Sequence, residues 1–306
     1  MTLPPGHSVR PATREDAAAV AKVIASADEA DGAPRDTDIE DVEEFWRELD
    51  PAKDALVAED ANGRVVGYVD MVRQGTKTHI DGYVHPAARG RGVGAELLRR
   101  AEASVRARDG ELVLHATVVA GAKASERLLE QNGYRYVRSF FRMRIRLDGR
   151  PPQPRWPEGI SIRRYVPGED DRAMHEALDE AFQDHWGHES RQLEEFIRAQ
   201  AQSEQLVAEA SLFALEGEEI AGAVLSKRRF GGGWIQSLGV RRPWRRRGLG
   251  LALLQHAFVS LYDLGERSIG LGVDAENTTG ATRLYERAGM HVEVRYDTYE
   301  KRVPAG

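Results

Sequence analysis

The feature that most constrains this chain is an internal repeat. Arg89, Gly92 and Gly94 recur as Arg245, Gly248 and Gly250, a displacement of 156 positions (245 − 89). The same displacement carries Val84 to Val240, Leu97 to Leu253, Leu128 to Leu284, Glu130 to Glu286 and Gly133 to Gly289. So constant a spacing over apolar, acidic and glycine positions means two copies of one structural unit. The 306 residues then divide into residues 1–147 and residues 158–306. Between them, 148–157 (DGRPPQPRWP) is a proline-rich linker that suits neither helix nor sheet.

Each copy runs through the same order of elements. In the first, a short strand at 8–11 precedes a helix with Thr13 as its N-cap and Asp16 three residues on. An acidic helix at 38–49 follows, then strands at 55–59, 65–72 and 78–84, the first two joined by an Asn62-Gly63 turn. Beyond the glycine-rich turn come a helix, a strand at 112–118, a helix at 125–131 and a long strand at 134–147. The second copy repeats this with a strand at 160–165, helices at 170–182 and 190–201, strands at 212–215 and 220–226, and a strand from 234 leading into the basic turn. The pattern predicts an α/β (α+β) chain of two tandem domains, each a mixed, mostly antiparallel sheet flanked by helices.

Composition narrows the function classes. With 41% hydrophobic residues each unit can fill a core. Cysteine is absent, which excludes disulfides, thiolate metal sites and a cysteine nucleophile. The net charge of −6 argues against nucleic acid as the main partner. The first sixteen residues lack a signal-peptide core and no run is long enough to span a membrane, so a cytoplasmic location and no membrane partner are expected. A monomer or homodimer is the expected assembly.

After Gly250 the apolar residues Leu251, Leu254, Ala257, Phe258 and Leu261 fall at helical spacing, so a helix begins at that glycine. A helix start presents unpaired backbone N–H groups and the positive end of the dipole, a site for phosphate. The glycines allow close approach, and the arginines add long-range attraction. The run 90–95 also fits the dinucleotide fingerprint G-x-G-x-x-G/A, but the second copy places Leu251 where a small residue is required, and these turns follow a fourth strand rather than a first. No G-x-x-x-x-G-K-[ST] occurs, which excludes a P-loop.

The two turns resemble the acyl-CoA loop of the GNAT family of N-acetyltransferases, Q/R-x-x-G-x-G/A after the fourth strand. Arg89-Gly90-Arg91-Gly92-Val93-Gly94 and Arg245-Arg246-Arg247-Gly248-Leu249-Gly250 match it. The V-x-P that precedes the family's loop is present as Val84-His85-Pro86, and in the second copy its proline is displaced by one, Val240-Arg241-Arg242-Pro243. Downstream, the family's N-x-x-A-x-x-L-Y-E-x-x-G-F is matched by the run from Asn277 through Tyr285 to Met290, with alanine one position late and methionine replacing phenylalanine. The tandem arrangement is similar to mycothiol synthase and related two-domain acetyltransferases. The resemblance implies acetyl-CoA (coenzyme A) as acetyl donor, a primary amine on a small molecule as acceptor, and direct transfer between them. It implies the loop residues above as cofactor-binding, with Val84 in the first copy and Leu238, Val240 and Asn277 in the second. It also implies an oxyanion donor on the strand near Leu238 and Val240, and Tyr285 as general acid. A tyrosine in LYERAG can equally pack a helix on a sheet.

The copies differ where this chemistry would sit. Leu129 stands at the position of Tyr285 and Gly121 at that of Asn277, so the first domain is expected to be non-catalytic and the second catalytic. Gln236, a candidate substrate residue, can orient a water and cannot act as a base. The loop 182–189 (FQDHWGHE) gathers Asp184, His185, Trp186 and His188, which points to substrate contact, with His185 the candidate base because its ordinary pKa is near neutral. No metal is expected, since the His-x-x-His pair lacks further ligands at recognisable spacing. A cysteinyl amino-sugar conjugate is the sharpest acceptor, and a non-catalytic coenzyme A sensor is the reading from another class.

Overall fold

The computed structural model of the chain describes residues 3–106, 112–277 and 279–303. The chain forms two compact units, one from Met1–Phe140 with Val294–Gly306 and the other from Phe141–Glu293. Its elements in order are β1 (Ser8–Pro11), α1 (Ala17–Asp31), α2 (Ile39–Phe45), α3 (Pro51–Asp54), β2 (Ala55–Glu59), β3 (Val65–Gln74), β4 (Lys77–Val84), α4 (Val93–Arg106), β5 (Leu112–Val119), α5 (Lys123–Gln131) and β6 (Arg135–Arg146). They continue as β7 (Ile160–Arg164), α6 (Asp171–Phe182), α7 (Leu193–Phe196), β8 (Leu212–Glu216), β9 (Glu219–Arg229), β10 (Gly232–Val240), α8 (Leu249–Asp263), β11 (Ser268–Asp274), α9 (Ala281–Arg287) and β12 (His291–Val303).

In the first unit the strands lie in the order β1-β2-β3-β4-β5-β12, in the second β11-β10-β9-β8-β7. Neighbours are antiparallel except β4 with β5 and β10 with β11, which are parallel. Side chains alternate across each sheet and so feed two layers. In the first unit Leu56, Val69, Met71 and Ile80 pack against Val93, Leu97 and Ala101 of α4, while Val57 and Tyr68 pack with Val20, Val23, Val42 and Trp46 beneath α1 and α2. The second unit repeats this with Val224 and Ile235 against α8, and Phe213 and Leu225 against Met174 and Leu178 of α6.

The unit boundaries differ from those read in the sequence, where residues 158–306 form the second domain. The last strand, β12, pairs with β5 from Tyr296↔Val119 to Val303↔Leu112, so residues from Val294 onward complete the first unit. Without that strand β5 would present an unpaired edge. The proline-rich segment carries no helix or strand, but it is anchored within the second unit. Trp156 packs against the core and the His256 ring of α8, and Arg150 holds Asp263 bidentately at 2.8 and 2.7 Å.

Two local expectations are refined. Thr13 and Asp16 form a capping box, but on a short 3-10 turn that leads into α1. The helix expected at 190–201 is α7 followed by a π-helical turn, Ile197–Ala201, where the buried Lys227 Nζ donates to the Ala199 carbonyl at 2.8 Å.

Candidate active site

In the second unit the site begins where two strands part. β10 and β11 are paired in parallel only from Gly233↔Ile269 to Ile235↔Leu271, whereas β10 continues beside β9 as far as Val240↔Gly222. A register shift between Ile235 and Ser237 makes Gln236 a bulge at the fork, and its Oε1 is buried without a hydrogen-bond partner among the described residues. The Arg241 N–H donates to the Ala221 carbonyl at 3.0 Å. By the two-residue alternation of a strand, the N–H groups of Leu238 and Val240 therefore face away from β9, toward the opened edge. The first unit forks in the same way. β4 and β5 pair only from Lys77↔Val113 to His79↔His115, and the His85 N–H donates to Val66, which turns the Val84 N–H to the open side.

The turn after each fork is built by left-handed backbone. Gly92 and Gly248 have φ of 86° and 87°, and the residues two before them, Gly90 and Arg246, have φ of 73° and 64°. A non-glycine residue held in that region costs roughly 1–2 kcal/mol and marks an over-determined turn. No side chain caps α8, whose first internal hydrogen bond runs from the Ala252 N–H to the Gly248 carbonyl, so the amides of Leu249, Gly250 and Leu251 have no partner inside the helix. A Cβ at Gly248 would have no atom within 4 Å, so the turn faces open space. At Gly250 a Cβ would lie 3.1 Å from Leu284 Cδ1 and 3.6 Å from Val240 Cγ2. That glycine lets the start of α8 close onto both β10 and α9. The uncapped amides, the open turn and the forked edge together fit the diphosphate and thioester arm of coenzyme A.

The arginines act differently from the expectation of long-range attraction. Arg245 donates from Nε to the Val240 carbonyl at 3.0 Å, from Nη2 to the Ala181 carbonyl at 3.0 Å and from Nη1 to Asp184 at 2.7 Å. Arg89 reproduces the set with the Val84 carbonyl at 3.2 Å, the Ala27 carbonyl at 3.2 Å and Asp31 at 2.6 and 2.9 Å. Each thus clamps the strand end to the C-terminal end of a helix, α6 with Asp184 just beyond it for Arg245 and α1 for Arg89. Arg247 is held by Glu216 at 2.6 Å, which also accepts from Trp244 Nε1. Arg246 and Arg91 are exposed. The guanidiniums of Arg245, Arg247 and Arg89 are thus already engaged with carboxylates, and the backbone amides of the two turns are left uncapped.

The loop after α6 is also more structural than its composition implies. Asp184 is gripped by Arg242 and Arg245, which hold its carboxyl well below the usual range. His188 Nε2 lies 3.1 Å from Asp179 Oδ1, tying the loop back to α6. These two side chains serve the loop where the sequence reading gave them to substrate. Trp186 is 40% exposed. The His185 ring packs on Phe182 with centroids 4.5 Å apart, and burial pulls its pKa down against the opposing field of Asp274. It thus stays a neutral imidazole to lower pH than a free histidine.

On α9, Tyr285 follows Leu284, whose Cδ1 a Cβ at Gly250 would meet, and its ring packs in the buried core of the second unit. Tyr285 is 8% exposed, and burial alone pushes its pKa up to about 12. Asn277 accepts the Thr279 N–H at 2.8 Å through Oδ1, forming the turn before α9; Thr278 of the same run lies outside the described residues. Leu129, at the position of Tyr285 in the first unit, is buried in the core. Sequence reading passed over Asp81 and Asp70, which face each other across β4 and β3 at the first unit's fork. Charged residues at inward positions of otherwise apolar strands were the available signal.

Residues 21–134 and 172–290 each match the acetyltransferase (GNAT) family model. The chain belongs to that family. It is 31% identical over 304 residues to a mycothiol acetyltransferase of Geodermatophilus obscurus, covering 92% of this chain and 94% of the relative. A mycothiol acetyltransferase of Streptomyces scabiei is 33% identical over 219 residues, covering 70% and 68%. Among solved structures, a GCN5-related N-acetyltransferase from Sphaerobacter thermophilus superposes with a TM-score of 0.87 at 40% identity, covering 100% of this chain and 98% of that one. A tandem GNAT protein from the clavulanic acid biosynthesis pathway has the same fold, with a TM-score of 0.73 at 19% identity and coverage of 98% and 100%. This GNAT chain is an acetyltransferase that moves an acetyl group from acetyl-CoA to an amine. Among the described residues no helix is long and apolar enough to cross a membrane.

Proposed function

We propose that the second unit carries out the acetyl transfer and that Tyr285 is its general acid. The observation carrying this reading is the conjunction of a fork at Ile235–Leu271, an uncapped α8 and a buried, neutral tyrosine on the helix that touches Gly250. Acetyl-CoA supplies the activated thioester. The amides of residues 246–250 bind its diphosphate. The outward N–H groups of Leu238 and Val240 stabilise negative charge on the carbonyl oxygen, a contribution of about 2.7–4 kcal/mol for one such donor. Tyr285 Oη delivers the proton to the departing thiolate, worth about 10²–10⁴ in rate. Gln236 at the bulge orients the amine, and the neutral His185 imidazole accepts its proton.

The first unit retains the turn but has Leu129 in place of the acid, so we assign it coenzyme A binding or structural support through the amides of 90–94. Similarity to mycothiol acetyltransferases makes the deacetylated, cysteinyl amino-sugar form of mycothiol the first acceptor to test. Acetyl-CoA is an intracellular metabolite, which places the reaction in the cytoplasm. The experiment is incubation with acetyl-CoA and a panel of small amines that includes this conjugate, following release of coenzyme A by chromatography because the conjugate has a thiol of its own. Saturable, amine-dependent release supports the reading. Binding of acetyl-CoA with no turnover on any amine would favour a coenzyme A sensor.

A further inference from the structure

The two glycine-rich turns share a backbone course but not a sequence. The left-handed residue two places before the turn glycine is Gly90 in the first unit, with φ 73°, and Arg246 in the second, with φ 64°. Glycine enters that region freely, whereas an arginine there brings its Cβ against the following carbonyl oxygen. The second unit must therefore hold Arg246 where its own preference would not put it.

Residues on either side of Arg246 are tied to one carboxylate. Glu216, the last residue of β8, accepts Trp244 Nε1 on Oε2 at 2.8 Å and Arg247 on both oxygens, from Nη2 to Oε1 at 2.6 Å and from Nη1 to Oε2 at 3.2 Å. These donors, Arg247 first, hold the Glu216 carboxyl below its ordinary range. Trp244 is itself fixed. It is buried in the core that includes Leu249 and Leu253 of α8, and its backbone N–H closes the 3-10 turn Arg242–Trp244 onto the Arg241 carbonyl at 3.0 Å. Arg245, between Trp244 and Arg246, is anchored to the Val240 and Ala181 carbonyls. A free-standing surface ion pair contributes little to stability. Here a bidentate guanidinium and a buried indole converge on the same carboxylate, a geometry that fixes direction more than it adds energy.

Among the described residues the first unit has no such tie. At the displacement of the repeat, Ala88 replaces Trp244 and has no side-chain donor, Gly90 replaces Arg246, and Asp60 replaces Glu216 with its carboxylate taken by Arg64 at 2.9 and 2.7 Å. A glycine at position 90 needs no support. The strained residue and the contact that holds it thus occur together in one unit and are absent together from the other. We propose that Glu216 is a positioning residue for the diphosphate cradle: through Trp244 and Arg247 it keeps Arg246 left-handed, and so keeps the amides of 246–250 turned toward the ligand. The inference rests on the reading of those amides as the coenzyme A diphosphate site, and it assigns part of the cradle's rigidity to β8, outside the glycine-rich turn.

The test uses the full chain, labelled with ¹⁵N and titrated with coenzyme A, following the backbone amides of Gly248 and Gly250 for the second unit and of Gly92 and Gly94 for the first. Glu216→Ala should weaken binding at Gly248 and Gly250 about three- to tenfold, the loss expected when a charge-assisted contact near the surface is removed, and leave any response at Gly92 and Gly94 as it was. Glu216→Gln keeps an oxygen for Trp244 and should lose less. Adding Arg246→Gly should restore the affinity of Glu216→Ala, because glycine holds the left-handed conformation without the tie. A loss of surface charge alone is not restored in this way. If Glu216→Ala fails to fold, Glu216→Gln with and without Arg246→Gly carries the same comparison. Unchanged affinity in the Glu216 variants, or a loss that Arg246→Gly does not restore, would overturn the positioning role. Gly248 and Gly250 signals that saturating coenzyme A leaves in place would instead overturn the cradle itself, and the positioning role with it.

Discussion

Replacing Tyr285 with phenylalanine separates the two tasks a buried tyrosine can have. The ring fills part of the core that surrounds α8 and α9, and phenylalanine keeps that volume. The hydroxyl is the only difference. Its pKa is pushed from 10 up to about 12 by burial alone, a shift equivalent to about 2.7 kcal/mol in favour of the neutral form. At pH 8 about one molecule in ten thousand then carries a phenolate, so the group is available as a donor and negligible as a base. The Tyr285→Phe protein should keep its thermal midpoint and its affinity for acetyl-CoA, while kcat falls about 10²–10⁴-fold. Free thiol released from acetyl-CoA can be followed with a thiol-reactive chromophore, without background from the protein because the chain contains no cysteine. The pH profile gives a second check. The alkaline fall of kcat should lie well above pH 10, since Tyr285 holds its proton until about 12. Undiminished turnover in the variant would refute the assignment, whereas an alkaline limb near the ordinary phenol value that disappears in it would keep the assignment and refute the effect of burial on the phenol.

Other perturbations address the parts that position this chemistry. Gly248→Ala places a side chain at φ 87°, and the strain of roughly 1–2 kcal/mol should lower the denaturation midpoint and raise KM for acetyl-CoA more than it lowers kcat. Asp184→Asn removes the carboxylate that Arg242 and Arg245 share, and the loosened turn should appear as a higher KM for acetyl-CoA with kcat nearly preserved; an unchanged KM argues against the clamp. The acid limb of kcat/KM should fall below the ordinary imidazole value, because burial lowers the His185 pKa and the neutral ring is the base, and His185→Gln should abolish that limb. Asp70 and Asp81 have raised pKa values when folded, so between the unfolded carboxyl value near 3.9 and their own midpoints the folded chain holds more protons. Their stabilising contribution is complete below the unfolded value and is lost as pH rises through the folded midpoints. Urea midpoints of the unsubstituted chain should therefore decline with rising pH relative to Asp70→Asn, and parallel curves would contradict this.

The amino-acid sequence by itself determined the tandem architecture, the two glycine-rich turns and the asymmetry between Tyr285 and Leu129. Repeat spacing, glycine chemistry and helical periodicity are local or periodic properties, and a local property survives reading without coordinates. Only the tertiary structure decided which charges are available. Arg245 and Arg89 look like phosphate ligands in a line of text, but the loop after α6 and the end of α1 bring Asp184 and Asp31 to them, 61 and 58 residues away. Such ion pairs form between residues distant in sequence, so no spacing rule announces them. The return of β12 to the sheet of the first unit was hidden for the same reason, because strand pairing is chosen by the edge left open and not by chain order. Asp70 and Asp81 show the limit most clearly. Each is an ordinary acid in its own strand, and only the antiparallel register sets one directly against the other.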